Sequence, residues 1–473
     1  MENKRVSMQK QELKVRLKNF NEVALGYIEE EAKSEAARCL NCKNAPCRNG
    51  CPIHNRIPEF VREVAMGDFE KAYEIICDRN PLPAVTGRVC PQEKQCEAKC
   101  VRGIKGEPLA IGRLERFVAD YHNKNVKTEA AFSRDKQKVA VIGGGPSGIT
   151  CAVKLAEKGY KVTLFEAAEH IGGILYYGIP EFCLPNEIIL DLQDRLIQKG
   201  IEVETDAVAG KAFTIKDLLD DGYAAAYVAI GANKSRFMNI EGENLLGVYS
   251  ANEYLYKAKL FKNAVQGRIV KRGDKVVVVG GGNVAIDAAR TAIRHTGDVT
   301  IIYRRTENEL PARKEEVQNA IEEGIKFLFL TTPVKLHADS NGRLNKAECV
   351  KMQLGEEDSS GRRSPVVIKN SNFTIDVDCA IMAIGSDANA YTNCFEDCFE
   401  VNKYGYPDVG EDLSTEVKGV FAGGDFVCGA STVINAVAYG EKGAEAIDEY
   451  LKANFKATVL RKNGKSDTFR EIK

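Results

Sequence analysis

The segment KVAVIGGGPSGITCAVKLAEKGYKVTLFE, residues 138–166, decides how the rest of the chain is interpreted. A short apolar run ends at glycines, an amphipathic run follows, and a second apolar run ends in an acid. Gly143, Gly145 and Gly148 have the G-x-G-x-x-G spacing, which combines a tight turn, close backbone approach to a pyrophosphate and packing of a helix on a strand. Glu166, eighteen residues further on, is placed to accept a hydrogen bond from a ribose hydroxyl. The segment predicts a dinucleotide site with the pyrophosphate at a helix N-terminus.

A second copy of this pattern, KVVVVGGGNVAIDAARTAIRHTGDVTIIYRRT, begins at residue 275. Its fingerprint positions form the permitted variant G-x-G-x-x-A and are occupied by Gly280, Gly282 and Ala285. Where the first copy ends in an acid, the second ends in Arg304 and Arg305. An acid would repel a 2′-phosphate, whereas arginine pairs with phosphate through two parallel hydrogen bonds. The second site is predicted to select NADP over NAD; the alternative is a solvated turn carrying two arginines. Arg313, in ELPARKEEV, is a further candidate for the phosphate, or else an exposed residue at a helix start.

Glycines also indicate where the chain leaves and re-enters the first nucleotide domain. Gly172–Gly173, in HIGGILYYGIP, either bring the backbone close to a flat ligand or form an ordinary turn. A buried strand is expected within Tyr223–Arg236. A short strand, Val420–Ala422, precedes two glycines and Asp425, and a long helix is predicted to begin near Ser431. An acid beside a helix N-terminus can hold the ribityl chain and ring edge of a flavin. The order indicates one nucleotide domain, a second inserted into it, and a return to the first.

Cysteines are concentrated near the N-terminus, where eight of the fifteen lie between residues 39 and 100. The first set follows C-x2-C-x4-C-x3-C-P, close to the bacterial ferredoxin run, and consists of Cys39, Cys42, Cys47 and Cys51. The second set consists of Cys90, Cys96 and Cys100. Seven cysteines are one short of the ligands of two four-iron clusters. Structural zinc usually closes on two C-x2-C pairs and only one is present, so iron–sulfur clusters are favoured over zinc.

Two residues compete for the eighth ligand position. Cys77 has the better donor atom, but it shares a helical stripe with apolar residues and is expected to be a small core residue. Glu115, in IGRLERFVADY, is the alternative, although a carboxylate ligand would be unusual. His54 is expected to be solvated or to cap a helix. The region otherwise predicts a small α-helical domain, with a helix over Ile28–Ala37 and a polar linker at Asn123–Lys136.

The overall composition argues against nucleic-acid and membrane partners. A length of 473 residues suggests roughly three domains. The 66 basic and 67 acidic residues leave a net charge of −1, so no bulk field favours nucleic acid or an anionic membrane. No apolar run approaches the ~20 residues that span a bilayer, and the charged N-terminus lacks the apolar core of a signal peptide. A cytoplasmic protein is expected.

Jointly, these motifs resemble one family of flavoprotein reductases, the small (beta) subunits of NADPH-dependent glutamate synthase. The resemblance runs from about residue 20 to residue 455 and rests on CLNCKNAPCRNGCP, GRVCPQEKQCEAKC, IGRLERF, GGGPSGI, GGILYYGIPEF, GGGNVAIDAAR, YRRTENELPARKEE and FAGGD. The large subunit of NADH-dependent ferredoxin:NADP oxidoreductase and the N-terminal half of dihydropyrimidine dehydrogenase belong to the same group.

The expected fold is α/β, with two Rossmann-like domains of the glutathione- and thioredoxin-reductase type behind a small α-helical iron–sulfur domain. The expected boundaries are 1–130 for the iron–sulfur domain, 136–250 and 386–473 for the FAD domain, and 265–385 for the NADPH domain. One departure from the family is Cys183, where relatives usually carry a basic residue near the flavin. No C-x2-C pair follows Cys42, so disulfide reduction is not expected.

The resemblance also implies a set of cofactor contacts. FAD would be held by Gly143, Gly145, Pro146, Ser147, Gly148, Glu166, Gly173, Gly424, Asp425 and Thr432. NADPH would be held by Gly280, Gly282, Asn283, Val284, Ala285, Arg304, Arg305 and Arg313. One [4Fe-4S] cluster would take Cys39, Cys42, Cys47 and Cys100, and the other Cys51, Cys90, Cys96 and Glu115.

The implied activity is hydride transfer from NADPH to FAD, followed by single-electron transfer through both clusters to a partner. No catalytic acid or base is needed, because the cofactors carry the chemistry. The expected partner is a glutamate synthase large subunit, which makes glutamate from glutamine and 2-oxoglutarate. The alternative is the small flavoprotein subunit of a ferredoxin-linked transhydrogenase; ferredoxin and a homo-oligomer are further candidates. A zinc-containing nucleotide-binding module without redox activity is the alternative from a different class.

Overall fold

The computed structural model describes residues 4–128, 130–261, 269–358, 361–389 and 399–464, with side chains to residue 454. Two parallel five-stranded sheets, both accompanied by helices, follow a helical N-terminal region. The α/β fold class expected from the sequence is confirmed. Within these ranges, no helix has the length and apolar character needed to cross a bilayer.

The N-terminal region is built from short helices around one apolar core. Its elements are β1 (Gln9–Lys10), α1 (Leu13–Arg16), β2 (Ala24–Gly26), α2 (Glu29–Ala36), α3 (Pro46–Asn49), α4 (Ile57–Met66), α5 (Phe69–Cys77), α6 (Pro83–Val89), three 3-10 turns (Gln92–Lys94, Glu97–Lys99, Val101–Ile104) and α7 (Ile111–Asn125). The helix predicted over Ile28–Ala37 is α2, and α7 extends into the segment predicted as a linker. Phe60, Ile76 and Leu114 are fully buried between α4, α5 and α7, which makes this core continuous.

The first nucleotide-binding unit begins with the fingerprint segment. Its elements are β3 (Lys138–Ile142), α8 (Pro146–Glu157), β4 (Lys161–Phe165), α9 (Ile174–Tyr177), α10 (Asn186–Gln198), β5 (Glu202–Glu204), α11 (Ile215–Asp220) and β6 (Tyr223–Val228). The strand expected within Tyr223–Arg236 is β6, which stops three residues before Gly231.

The remaining elements run from the inserted unit back to the first. They are β7 (Lys234–Ser235), β8 (Val248–Ser250), α12 (Ala251–Leu260), β9 (Val276–Val279), α13 (Asn283–Ile293), β10 (Val299–Tyr303), a 3-10 turn (Glu307–Glu309), α14 (Lys314–Glu322), β11 (Lys326–Phe329), β12 (Thr331–Ala338), β13 (Leu344–Glu357), β14 (Arg363–Val367), β15 (Phe373–Asp376), β16 (Cys379–Met382), β17 (Ser386–Asp387), β18 (Val420–Ala422), α15 (Asp425–Cys428) and α16 (Val433–Gly464).

The chain leaves the first sheet after β6 and returns to it at β18. The first sheet has the order β18-β6-β3-β4-β5 and the second β11-β10-β9-β16-β8, each parallel throughout. An antiparallel sheet made of β12 to β15 lies between β11 and β16 in the sequence. The all-buried valines of β9 are typical of a strand covered by helices on both faces.

Helices α8 and α16 approach closely above the first sheet, because Gly440 replaces a side chain at their contact. A Cβ on Gly440 would lie 2.3 Å from the Ser147 carbonyl oxygen. This contact holds the start of α16 against the start of α8, which is the fingerprint helix. The predicted start of α16 near Ser431 differs from the observed start at Val433 by two residues.

Candidate redox cofactor sites

One cleft of about 1400 Å³ contains the carboxyl ends of strands from both parallel sheets. Ligands of open parallel sheets bind at this end, where the strand order reverses. The predicted contacts that line the cleft are Gly143, Gly145, Pro146, Ser147, Glu166, Gly173, Asp425, Thr432, Gly280, Gly282, Asn283, Val284, Arg304 and Arg305. The predicted contacts outside its lining are Gly148, Gly424, Ala285 and Arg313. Both fingerprints therefore open into one shared space.

The three fingerprint glycines of the first unit differ in what surrounds them. Gly143 has a φ of +106°, and a Cβ there would lie 2.4 Å from the Ala229 carbonyl oxygen. A Cβ on Gly148 would lie 1.9 Å from the Gly143 oxygen, so this glycine permits the helix–turn contact. A Cβ on Gly145 would meet nothing within 4 Å. The open space at Gly145 fits a pyrophosphate lying against the N-terminus of α8.

Glu166 is held against the fingerprint turn by backbone hydrogen bonds. Its Oε2 accepts from the Gly144 N–H at 2.8 Å and its Oε1 from the Ala168 N–H at 2.9 Å. Burial raises the pKa of this carboxyl group, and the two N–H donors oppose that shift. The side chain is thus oriented at the edge of the cleft where a ribose would bind.

The return segment and the glycine pair both contact the first fingerprint. Gly173 has a φ of +53°, and its Cβ position is 3.5 Å from the Cα of Gly145. The Gly172 N–H donates to the Gly144 oxygen at 2.7 Å. Gly424, with a φ of +67°, places its Cβ position 2.8 Å from that of Ser147. Two distant segments therefore wrap the same turn, so the glycine pair is part of the cleft.

Asp425 begins the short helix α15 and faces the N-terminal end of α16. Its Oδ1 accepts from the Ser431 N–H at 3.2 Å and from the Ser431 hydroxyl at 2.7 Å. Burial raises the pKa of Asp425, and the Ser431 donors lower it. The carboxylate and the first N–H groups of α16 together form the polar edge that the sequence predicted beside Thr432.

The second fingerprint repeats the geometry of the first. Gly280 has a φ of +145°, and a Cβ there would lie 2.3 Å from the Ala383 oxygen. A Cβ on Gly282 would meet nothing within 4 Å, as at Gly145. Ala285 is fully buried against the sheet. The residues of this turn therefore also fit a bound pyrophosphate.

The three arginines predicted to hold the 2′-phosphate point to different partners. Arg304 is exposed and lines the cleft. Arg305 is buried; its Nη2 pairs with Asp358 at 2.6 Å and its Nε donates to the Arg363 oxygen at 2.7 Å. The Arg313 guanidinium donates to the Arg88 carbonyl oxygen, outside the cleft. Arg304 is thus the most available of the three for a phosphate.

The sequence did not predict that the β13–β14 hairpin lies beside Arg304 and Arg305. Arg362, in the turn between β13 and β14, also lines the cleft, and Asp358 in the same turn neutralises Arg305. Neither residue belongs to a nucleotide-binding motif, and both lie more than fifty residues from the fingerprint arginines. The hairpin is held beside the fingerprint arginines by the Arg305 side chain, which pairs with Asp358 and donates to the Arg363 oxygen.

Electrostatic contacts divide the seven N-terminal cysteines into two sets. Burial, followed by the charges of Cys100, Cys39 and Cys42, raises the pKa of Cys47 to about 11. Burial also raises the pKa of Cys90, with further contributions from Glu115 and Cys51. The pKa of Cys96 is also raised, by burial first and then by the charges of Glu97, Cys51, Glu115 and Cys90. The first set consists of Cys39, Cys42, Cys47 and Cys100, and the second of Cys51, Cys90, Cys96 and Glu115.

Neither set has the compact geometry of a mononuclear zinc site. In the parts of the chain that the structure describes, the one group of three ligand atoms all within 4.8 Å of one another is Cys183, Asp287 and Glu316. Tetrahedral zinc with Zn–S bonds of about 2.3 Å needs sulfurs roughly 3.8 Å apart. Among the described residues, no three ligand atoms of either cysteine set lie all within 4.8 Å of one another, so neither set is closed around a single ion.

Glu115 is oriented within the second set by two hydrogen bonds to the same oxygen. Its Oε1 accepts from the Asn80 amide at 2.9 Å and from the Thr86 hydroxyl. Burial raises the pKa of Glu115 to about 7. Among the described residues, no hydrogen bond is made to Oε2. A carboxylate held by one oxygen with the other available is suited to ligation.

Cys77 lies apart from the two sets, whereas the His54 N–H donates to the Cys51 carbonyl oxygen at 2.9 Å. Burial raises the pKa of Cys77 to about 12, and the charges that act on it come from Lys154, Lys199 and Glu157. No cysteine contributes to that list. His54 is exposed and has a φ of +50°, as expected for a solvated residue.

Cys183 lies at the contact between the two nucleotide-binding units. Its Sγ is 3.4 Å from Oε2 of Glu316 and 3.7 Å from Oδ1 of Asp287, and Nη1 of Arg290 donates to it at 3.6 Å. The buried side chains of this contact belong to α13 and α14. In this structure, Cys183 does not line the cleft.

Comparison with known proteins places these features in a family. A model described as pyridine nucleotide-disulphide oxidoreductase matches residues 137–440, and a model described as dihydropyrimidine dehydrogenase domain II, 4Fe-4S cluster, matches residues 16–127. The glutamate synthase [NADPH] small chain of Escherichia coli is 33% identical over 460 residues, covering 95% of this chain and 97% of that protein. This chain belongs to the glutamate synthase small-chain family.

Members of this family also occur under other names. The beta subunit of the NADP(+)-dependent formate dehydrogenase of Moorella thermoacetica is 38% identical over 434 residues, 86% of this chain and 60% of that subunit. The structure of Mycobacterium tuberculosis FprA in complex with NADPH superposes with a TM-score of 0.59 at 16% identity, over 68% of this chain and 86% of that one. That likeness shows the shared two-unit fold. The chain is therefore a flavin- and pyridine-nucleotide-dependent oxidoreductase with a 4Fe-4S domain.

Proposed function

We propose that this chain takes hydride from NADPH onto FAD and passes single electrons through two [4Fe-4S] clusters to a partner subunit. The shared cleft carries this proposal, because hydride transfer requires the nicotinamide and the flavin to meet in one space. When bound, the cofactors supply the redox chemistry, and the protein orients them and excludes water.

The first fingerprint holds FAD in this proposal. Its open position at Gly145 and the N-terminus of α8 receive the pyrophosphate, and Glu166 receives the ribose. Asp425 and the start of α16 lie across the same cleft, where the flavin ring and its ribityl chain would extend. The turn at Gly173 closes the remaining side.

The second fingerprint holds NADPH. Gly282 leaves the same open position for a pyrophosphate, and Asn283 and Val284 begin α13 beside it. Arg304 lines the cleft with an exposed side chain and is the proposed partner of the 2′-phosphate. Arg305 contributes by holding the β13–β14 turn through Asp358.

The two four-ligand sets hold one cluster each. Cys90 is buried in the same apolar core as the first parallel sheet, next to Ile53 and Leu82. Cys39, Cys47 and Cys100 are partly exposed and pack against the core of the N-terminal helices, which also contains the buried Cys96. The set around Cys90 is therefore proposed to lie on the flavin side, and the set around Cys39 on the side of the partner.

The partner is proposed to be a glutamate synthase large subunit, which would use the electrons to form glutamate from glutamine and 2-oxoglutarate. The near-complete coverage of both chains in the match with the small chain supports this assignment.

The proposed units are residues 1–130 for the clusters, 136–250 with 386–473 for FAD, and 265–385 for NADPH. Strand β8, at 248–250, pairs with β16 of the second sheet.

A second candidate is an electron-transfer subunit of a different complex. The 38% identity to the formate dehydrogenase beta subunit, higher than the 33% to the small chain, favours it. The large subunit of a ferredoxin-linked transhydrogenase belongs to the same class. In each case the reactions inside this chain are the same, and only the protein that exchanges electrons with it differs.

An anaerobic titration of the purified chain tests the proposal. NADPH should bleach the flavin absorbance at a much lower concentration than NADH, and the protein should contain about eight iron atoms per chain, the content of two four-iron clusters. The reduced chain is then mixed with a glutamate synthase large subunit, glutamine and 2-oxoglutarate. Separately, the oxidised chain is mixed with a formate dehydrogenase catalytic subunit, formate and NADP, and NADPH formation is followed. Zinc without iron or flavin would disprove the redox function.

A further inference from the structure

The segment at the start of α14 is attached to the loop that carries Cys90. Lys94 Nζ donates to the Pro311 oxygen at 2.6 Å, and the Lys314 N–H donates to Glu93 Oε1 at 3.0 Å. Between them, Nη1 of Arg313 donates to the Arg88 oxygen, two residues before Cys90. Three contacts therefore join the second nucleotide-binding unit to one cluster loop of the N-terminal region.

The same segment also contacts the second fingerprint. The Arg313 N–H donates to Oδ1 of Asn283 at 2.8 Å, and Asn283 is the first residue of α13 and lines the cleft. Arg313 is thus tied through its backbone to the nucleotide site and through its side chain to the cluster loop. No motif in the sequence predicted this link.

The Arg313 side chain is nearly buried, with 15% of its surface exposed. Its Nε is a buried donor without a hydrogen-bond partner in the structure. Unpaired buried N–H groups are costly, which makes a missing acceptor the simplest explanation. The Arg313 guanidinium is held by the Arg88 carbonyl oxygen, two residues before Cys90 in the cluster loop.

We propose that Arg313 tunes the second cluster: its unpaired N–H would be available as a donor to a cluster sulfur, and its positive charge would favour the reduced state. This inference rests on the proposed function, since it requires a cluster on Cys51, Cys90, Cys96 and Glu115. Hydrogen bonds to sulfur and nearby charge are the means by which proteins set cluster potentials. A buried positive charge favours the more negative, reduced cluster, because little solvent screens it.

This role of Arg313 differs from the binding of the 2′-phosphate that the sequence motif indicated. A guanidinium bound to the 2′-phosphate would face the cleft, whereas that of Arg313 faces the Arg88 oxygen and is outside the cleft lining. Nearby carboxylates of Glu315, Glu316 and Glu93 attract it on the remaining sides. These contacts hold the Arg313 guanidinium beside the cluster loop.

The test is a dithionite titration of the holoprotein under anaerobic conditions, followed by electron paramagnetic resonance of the reduced clusters. Each cluster takes one electron from dithionite, so the midpoint of each signal can be read without NADPH. Arg313→Gln should favour the oxidised state of one cluster at least tenfold, a shift of 59 mV to lower potential for a one-electron couple. The midpoint potentials of Arg313→Lys should lie close to those of the unmodified protein, because the positive charge remains.

A matched control is Lys314→Gln, which removes the neighbouring charge from an exposed side chain. Its midpoints should equal those of the unmodified protein, because solvent screens that charge. A second readout uses protein labelled with 15N in its arginine side chains. A weak 15N coupling to the reduced cluster should be present in the unmodified protein and absent in Arg313→Lys, which is expected to fold.

Unchanged midpoints in Arg313→Gln, or a 15N coupling that persists in Arg313→Lys, would overturn the inference. A tenfold weaker affinity for NADPH with unchanged midpoints would return Arg313 to the phosphate site. Iron counting separates this failure from failure of the proposed function. Protein with about eight irons and an unresponsive Arg313→Gln disproves only the arginine role, whereas protein without a second cluster disproves its premise.

Discussion

Arg305 and Asp358 form an ion pair at the edge of the cleft, with 2.6 Å between Nη2 and Oδ2. The partner of Arg305 belongs to the β13–β14 turn, whose position no motif predicts. Its neighbour Arg304 remains exposed in the cleft. Two adjacent arginines that resemble one phosphate clamp in the sequence therefore have different environments.

Replacing Arg304 should change nucleotide selectivity more than replacing Arg305. Arg304→Gln removes the proposed charge-assisted hydrogen bond to the 2′-phosphate, so NADPH should bind roughly tenfold more weakly, about 1.4 kcal/mol, with NADH unaffected. Arg305→Gln should mainly lower thermal stability, because it breaks the ion pair between Arg305 and Asp358. Flavin bleaching by each nucleotide measures the first effect, and a thermal scan the second. Equal losses of NADPH affinity in both variants would contradict this division.

Iron content should distinguish Cys77 from the cysteines of the two sets. Cys77→Ser should retain all iron, since the charges acting on that thiol come from lysine and glutamate side chains. Cys42→Ser should lose up to one cluster, about four irons, and retain the signal of the other. Iron analysis and electron paramagnetic resonance of protein purified without oxygen give both values. Loss of iron in Cys77→Ser would instead make Cys77 the eighth ligand in place of Glu115.

Replacing either of two glycines in the first fingerprint should have different effects on flavin binding and on the fold. Gly145→Ala adds a methyl group where no protein atom lies within 4 Å, so the fold should persist while flavin binding falls. Gly148→Ala places a methyl group 1.9 Å from the Gly143 oxygen, so the helix–turn contact itself must move. Circular dichroism and flavin absorbance separate the outcomes. Full flavin content in Gly145→Ala would show that the pyrophosphate does not occupy this position.

Asp287 should make stability depend on pH. Burial, with a smaller contribution from Glu316, raises the pKa of Asp287 to about 7, although Arg290, Cys183 and Arg313 oppose the shift. In the unfolded chain the pKa is about 3.9, so between these values the folded state binds more protons and stability falls as pH rises. The penalty begins above pH ~4 and is complete above pH ~7.

Asp287→Asn should remove that dependence. Thermal midpoints of the two proteins, measured from pH 5 to pH 8, should diverge in favour of the variant, by at most about 1.4 kcal/mol per pH unit. Asp191, whose carboxylate pairs with Arg195 on α10, offers a control aspartate away from this contact. Parallel curves for the unmodified protein and Asp287→Asn would mean that Asp287 is ionised throughout.

Much of the backbone geometry of the two fingerprints could be anticipated from local sequence patterns. The positive φ of Gly143 and Gly280, and the open space at Gly145 and Gly282, follow from the spacing of a turn between strand and helix. Such features involve residues within a few positions of one another. The preference for Glu115 over Cys77 came from the resemblance, and the hydrogen bonds from Asn80 and Thr86 now supply a physical basis for it.

The sequence by itself determined the two fingerprints, the α/β class and the concentration of cysteines near the N-terminus, because each depends on neighbours along the chain. Only the tertiary structure decided that Asp358 neutralises Arg305 and that Arg313 reaches the loop of Cys90. Those contacts join residues up to 225 positions apart. A long charged side chain has many possible partners, and the packing of whole units against one another selects among them.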